Sequence, residues 1–157
     1  MTLHIAIVLS TRILLCALFL PFSALDKLLN FDGAVAQARQ AIANQAVAVS
    51  LIIAGLCVEV FMSLGVITGT ADRACALVLA LYCAATAIGW KQFWKPGDFW
   101  SASDGKARSL FWDFLKNFAL AAGFLLITFG SQASSVQQFL SRPLASSHPY
   151  QAHPESP

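Results

Sequence analysis

Four stretches of this chain, at 3–25, 46–68, 74–90 and 111–130, stay apolar for about the length a helix needs to cross a bilayer, and that repetition constrains the fold more than any other feature. A hydrocarbon core of ~30 Å takes about 20 mostly apolar residues of helix. Inside it each backbone N–H and C=O must find its partner within the protein, and for single stretches of this length the helix does so. The prediction is an all-α, integral membrane bundle of four transmembrane helices within residues 1–130, followed by a disordered C-terminal tail at 131–157. Composition agrees. Hydrophobic residues make up 57% of the chain and charged residues 11%, against about 25% charged in ordinary soluble domains. At 157 residues the chain has the length of one domain, and a net charge of +2 builds no basic face for nucleic acid.

The first stretch is broken only by Arg12. Its charge sits inside the apolar run, and Phe22-Ser23-Ala24 lacks a small-x-small cleavage pattern, so it reads as a retained helix and not a signal peptide. The third stretch is uncharged and framed by Arg73 and Lys91, and the fourth opens with Asp113, Lys116 and Asn117. Between them lie a polar, Ala-rich connector at 30–45, which reads as a short interfacial helix, a tight turn at 70–72, and a longer loop at 91–109. After Gly130 the composition turns to Ser, Gln, Pro and His, too poor in apolar residues to fold alone. His148 and His153 in that tail read as solvated spacers. Cys16, Cys57, Cys75 and Cys83 form no close pair and read as small apolar side chains, so no metal site is predicted.

Trp90, Trp94, Trp100 and Trp112, all of the tryptophans, gather in or beside the third loop, with Phe93, Phe99, Phe111 and Phe114 among them. Amphipathic rings collect at headgroup depth, so Trp90, Phe93, Trp94, Trp100 and Trp112 are assigned to the membrane interface. Lys27, Arg39, Lys91, Lys95, Lys106 and Arg108 fall on one side of the four-span topology, and Arg73 and Arg142 on the other. That bias predicts a multi-pass protein of the bacterial inner (cytoplasmic) membrane with both termini outside the cytoplasm.

Two charges stand well inside apolar stretches. Counted at ~1.5 Å per residue, Glu59 lies roughly 15 Å in, and Arg12 roughly 10–13 Å in from the same side. A charge at mid-bilayer costs at least about 2.5–3.5 kcal/mol on insertion scales, so such residues face the bundle interior and pair. An Arg12–Glu59 ion pair is therefore predicted, with a structural and a functional role weighed evenly. Gly55, Glu59 and Ser63 recur at i, i+4 and i+8, giving the second helix one small, polar stripe. Arg12, Cys16, Phe19, Ser23 and Lys27 share a face of the first. Ser63, Lys27, Lys116 and Asn117 complete the candidate polar interior, although Lys116 is close enough to its helix end to snorkel.

Three segments resemble one family: "ALDKLLNF" closing the first helix, "GLCVEVFMSLGVITGTADRACALVLA", and "FLKNFALAAGFLLI". The chain looks like a DoxX-like protein, a group of small four-helix bacterial membrane proteins. The middle segment carries the family's Gly, Glu, Leu-Gly and Arg pattern at Gly55, Glu59, Leu64-Gly65 and Arg73. Two departures are visible. Ser23-Ala24 stand where many relatives have a glycine before the closing lysine, and Lys91-Gln92 stand where many have a histidine before the aromatic pair, here Phe93-Trp94. A proton-handling role resting on that histidine has no counterpart here. The resemblance implies association with membrane redox systems, since the family name derives from a quinol-oxidase subunit and some relatives join thiosulfate:quinone or oxidative-stress complexes.

Three function classes follow. The first is a non-catalytic accessory subunit of a membrane redox system, with Glu59 and Arg12 polarising a quinone carbonyl or passing protons. The second is a small-solute or proton permease using the same charges as a gate. The third is a structural partner of a larger membrane complex. The sequence offers no catalytic constellation, and His4 alone cannot make one. No motif specifies a cofactor; a quinone is the group the resemblance suggests. The expected partners are the lipid bilayer and either redox-complex subunits or further copies of the chain.

Overall fold

A computed structural model describes residues 3–100, 105–130 and 132–151. Among these the protein is all-helical: α1 (Leu3–Leu29), α2 (Phe31–Arg39), α3 (Gln45–Thr68), α4 (Asp72–Trp90), α5 (Lys106–Phe129) and α6 (Ala133–Ser141). α1, α3, α4 and α5 are long and apolar enough to cross a membrane. The chain is thus a multi-pass membrane protein whose four spans alternate in direction. The α3–α4 turn, the start of α1 and the end of α5 share what we call the terminal side. α2 and residues 91–100 after α4 share the aromatic side.

Local chemistry sets the boundaries. The Asn44 side chain accepts from the N–H groups of Ala46 and Val47 at 2.9 and 3.3 Å and caps α3. Gly69, at φ +80°, ends α3 in the left-handed conformation that glycine adopts without a Cβ penalty. α1 and α3 each contain a π-helical turn, Leu18–Ser23 and Val58–Met62, and Pro21 bends α1 within its own.

Cys16 and Phe19 from α1, Val66 from α3, Ala76, Leu79, Ala80 and Cys83 from α4, and Ala121 and Phe124 from α5 form the core. Small residues set its close contacts. A Cβ on Gly65 would lie 2.4 Å from Cys75 Sγ, so glycine is what lets α3 and α4 approach there. Leu14, Leu18, Leu81, Ile88 and Leu126 point outward, as a lipid-facing surface requires. α2 is the amphipathic connector helix, laying Val35 and Ala38 on Ala48 of α3.

The tail departs from its sequence-based expectation. Instead of disorder, residues 132–151 hold α6 and a segment folded back onto the terminal side. Phe139 is buried against Phe129, and Arg73 reaches three acceptors beside it: Thr128 O at 2.8 Å, Ser135 O at 2.6 Å and Gln138 Oε1 at 3.2 Å. A segment too polar to fold alone is held here by partners that other elements supply. His153 lies outside the described residues, while His148 is exposed.

Candidate functional site

Glu59 sits near the middle of α3 with 1% of its surface exposed. The π-helical turn that contains it faces the π-helical turn of α1. Three donors converge on a single oxygen, Oε1: Lys27 Nζ at 2.5 Å, Tyr82 OH at 2.8 Å and Ser23 Oγ at 3.1 Å. Lys27 also donates to Ser23 Oγ at 2.8 Å, fixing that hydroxyl toward the carboxylate. Gly55, one turn away, leaves room for the tyrosine, since a Cβ there would lie 3.1 Å from Tyr82 OH. The other oxygen, Oε2, has no hydrogen-bond partner among the described residues, and neither does Ser63 Oγ on the same buried face. Buried polar atoms are nearly always satisfied, so two orphans in one stripe mark a place that takes a further hydrogen-bonding group.

Arg12 is not the partner of Glu59, and the predicted pair is corrected here. Its guanidinium bonds Asp72 Oδ2 at 2.6 Å, Val66 O at 2.7 Å and Ser147 Oγ at 3.2 Å. The cause is register. Arg12 lies level with Val66, and Cys16 Sγ meets Ser63 O, so α1 projects beyond the end of α3 on the terminal side. Arg12 and Glu59 are therefore separated by about two turns, roughly 10 Å of helix rise. Asp72, which the sequence reading placed in the turn, is the first residue of α4 and has no exposed surface. It accepts from Ser147 N at 2.9 Å and Ser147 Oγ at 2.5 Å as well as from Arg12. Tyr150 lies over Arg12 and donates to Ile67 O; burial pushes its phenol above the ordinary value, which keeps it a donor.

The remaining candidates separate. Lys27 and Ser63 belong to the interior around Glu59. Lys116 does not: its side chain is 71% exposed on the bundle surface, 3.6 Å from Asp113, because the buried face of α5 is the one that carries Ala121 and Phe124. Asn117 is half-buried, donating to Asp113 O at 2.9 Å and accepting from Thr86 Oγ1 at 3.4 Å. Asp113 also pairs with Lys91 at 3.1 Å. Phe93 is the hub of the aromatic cluster, within 5.1–5.9 Å of Trp94, Phe99, Phe111 and Phe114, while Trp90 is half-buried. Trp94 and Trp112 are exposed, and Trp100 is 92% exposed.

The sequence reading missed Tyr82, Asp72 and Ser147. A signal existed for the first two, because a tyrosine hydroxyl inside an apolar span and an acid beside its start both require partners. Ser147 carried none.

A family model for DoxX matches residues 7–92, more than half of the chain. The match takes in Arg12, Ser23, Lys27, Glu59, Ser63, Asp72 and Tyr82, and it ends before α5. No curated protein and no solved structure matches the chain.

Proposed function

Because the chain belongs to the DoxX family, we propose that it is a non-catalytic accessory subunit of a membrane redox system, quinone-linked or serving oxidative-stress defence, with Glu59 as its working residue. The observation that carries this reading is the uneven carboxylate: one oxygen holds three donors and the other holds none, on a side chain that is almost fully buried. An intramembrane ionisable residue is a functional candidate by default. A quinone head group suits the two orphaned atoms, since the Ser63 hydroxyl can donate to a carbonyl and Oε2 can accept from a hydroxyl. When bound, such a group would carry electrons and protons between its oxidised and reduced forms. The chain's own part is to hold the head group and to keep a charge-balanced acceptor beside it, with Lys27 neutralising Glu59. Arg12, engaged by Asp72, takes no part in that contact.

We place the protein in the bacterial inner membrane with the terminal side outside the cytoplasm, on the bias of basic residues toward the aromatic side. Purification in mild detergent tests the functional reading through what accompanies the protein. A quinone together with a stoichiometric redox partner supports it. A partner without redox chemistry favours the structural class, and solute uptake by vesicles carrying this protein alone favours a permease.

A further inference from the structure

α6 carries an apolar stripe of which the protein covers only one edge. Phe139 is buried on Phe129, the last residue of α5, and Ser135 and Gln138 turn toward Arg73. On the other edge Val136 and Leu140 are exposed, and Leu144, in the turn that follows, continues the same four-residue spacing. Leu140 and Leu144 keep 72% and 74% of their surface uncovered. Ser134, Gln137 and Ser141, also exposed, take the polar face of the helix. Depth decides what meets the stripe. The Arg73 guanidinium bonds Thr128 O in the last turn of α5 and also Ser135 and Gln138, so α6 lies beside the end of a membrane span and not beyond it. Ser147 returns to Asp72, so the stretch from 135 to 147 begins and ends at the first turn of α4. Leu126, one turn before Phe129, is exposed on the lipid-facing surface of α5, and the uncovered edge of α6 continues that surface.

We propose that α6 and the turn after it are an interfacial anchor, with Val136, Leu140 and Leu144 in the acyl boundary of the terminal-side leaflet. A helix placed there is held in proportion to the apolar area that leaves water, while its polar face stays hydrated. Arg142, exposed directly after α6, stands at headgroup level, where phosphate oxygens accept from a guanidinium. The occupant is lipid because the stripe is continuous with a surface that already faces acyl chains. The contact also bears on the segment behind it. Only Ala145 and Ser146 separate Leu144 from Ser147, which bonds Asp72 and Arg12, so seating the turn in lipid holds that segment over the buried ion pair. The inference concerns the terminal surface alone and does not depend on the role assigned to Glu59.

Photolabelling of the full chain tests the anchor, in vesicles of phosphatidylethanolamine and phosphatidylglycerol doped with a phospholipid that carries an aryl diazirine near the top of one acyl chain. Light expels nitrogen and leaves a carbene that inserts into bonds within reach, and peptide mass spectrometry locates the adduct. Adducts are expected at Val136, Leu140 or Leu144 and not at Ser134, Gln137 or Ser141. Leu140→Gln combined with Leu144→Gln leaves the Phe139 and Arg73 contacts in place. It should cut the yield on 133–145 at least about tenfold, an effect that withdrawing one leucine's worth of apolar burial is enough to produce. Labelling of the four spans in the same sample shows that the protein is inserted. Absence of adducts from α6 while the spans are labelled overturns the anchor and leaves the stripe to water or to another protein. Adducts spread equally over both faces of α6, or a yield that the double substitution does not change, overturn it as well. Each of these results leaves the redox-partner reading standing, since co-purification decides that separately.

Discussion

Lys27 and Glu59 meet at 2.5 Å with the lysine reaching inward from the end of α1 toward the centre of the bundle, the opposite of the outward reach that long cationic side chains usually make near a membrane surface. Breaking a buried pair typically costs about 3–5 kcal/mol because it strands one charge, whereas replacing both members is often near neutral. Lys27→Met and Glu59→Gln should each lower the thermal midpoint in detergent, and the double variant should recover most of the loss. Single losses that simply add in the double variant would show that the two residues are not coupled.

Asp72 gathers Arg12 and two bonds from Ser147, so it ties the C-terminal segment to the start of α4. Asp72→Asn should expose residues 142–151 to protease well before the bundle unfolds. Ser147→Ala should do the same more weakly, by about 1 kcal/mol in the local opening equilibrium, the usual net worth of one hydrogen bond. Unchanged cleavage rates in both variants would mean that the segment is held elsewhere.

Gly65→Ala places a methyl group 2.4 Å from Cys75 Sγ and 3.1 Å from the Thr70 carbonyl. Overpacking of this kind costs about 1–3 kcal/mol. Combining it with Cys75→Ala removes the sulfur and should return part of the stability but not all of it, since the carbonyl stays in place. Denaturation of the single and double variants in the same detergent measures both.

Arg73 spreads its guanidinium over acceptors on α5 and α6, and a lysine ammonium cannot reproduce that fork. In Arg73→Lys the amides of Ala133–Ser141 should exchange with deuterium faster while those of α4 keep their protection. Equal protection of α6 in both proteins would shift the anchoring role to Phe139.

Orientation can be read directly. A reporter fused after Pro157 should be active if it works only outside the cytoplasm and silent if it works only inside. The reverse result would invert the orientation but keep the four spans, which depend on length and hydropathy alone.

The spans were legible because each repeats a long apolar run, and the conflict of Glu59 with its surroundings was legible for the same reason. The identity of its partner was not. Depth counted from helix ends assumes that neighbouring helices end together, and α1 instead overshoots α3, so Arg12 reaches Val66 and Asp72 while Lys27 reaches Glu59. The folded tail was illegible for a different reason. Its buried apolar anchor is Phe139, and the polar contacts that hold it come from Arg73 and Asp72 on α4, Arg12 on α1 and the Ile67 carbonyl on α3, all far away in sequence.

The π-helical turn at Val58–Met62 has a consequence for which changes of length α3 can survive. A π-helical turn holds one residue more than the α-helical turn it replaces, so removing one residue there would let α3 close to ordinary winding with Gln45–Cys57 and Ser63–Thr68 still on their present faces. Removing one residue from the α-helical part of α3 would instead swing everything beyond it by about 100°, taking Ala48 or Gly55 out of the protein interior. The cost of a deletion within Val58–Met62 is therefore local, falling on the aim of Glu59 toward Lys27 and Tyr82. α3 should survive the loss of one residue inside that turn better than the loss of one on either side of it.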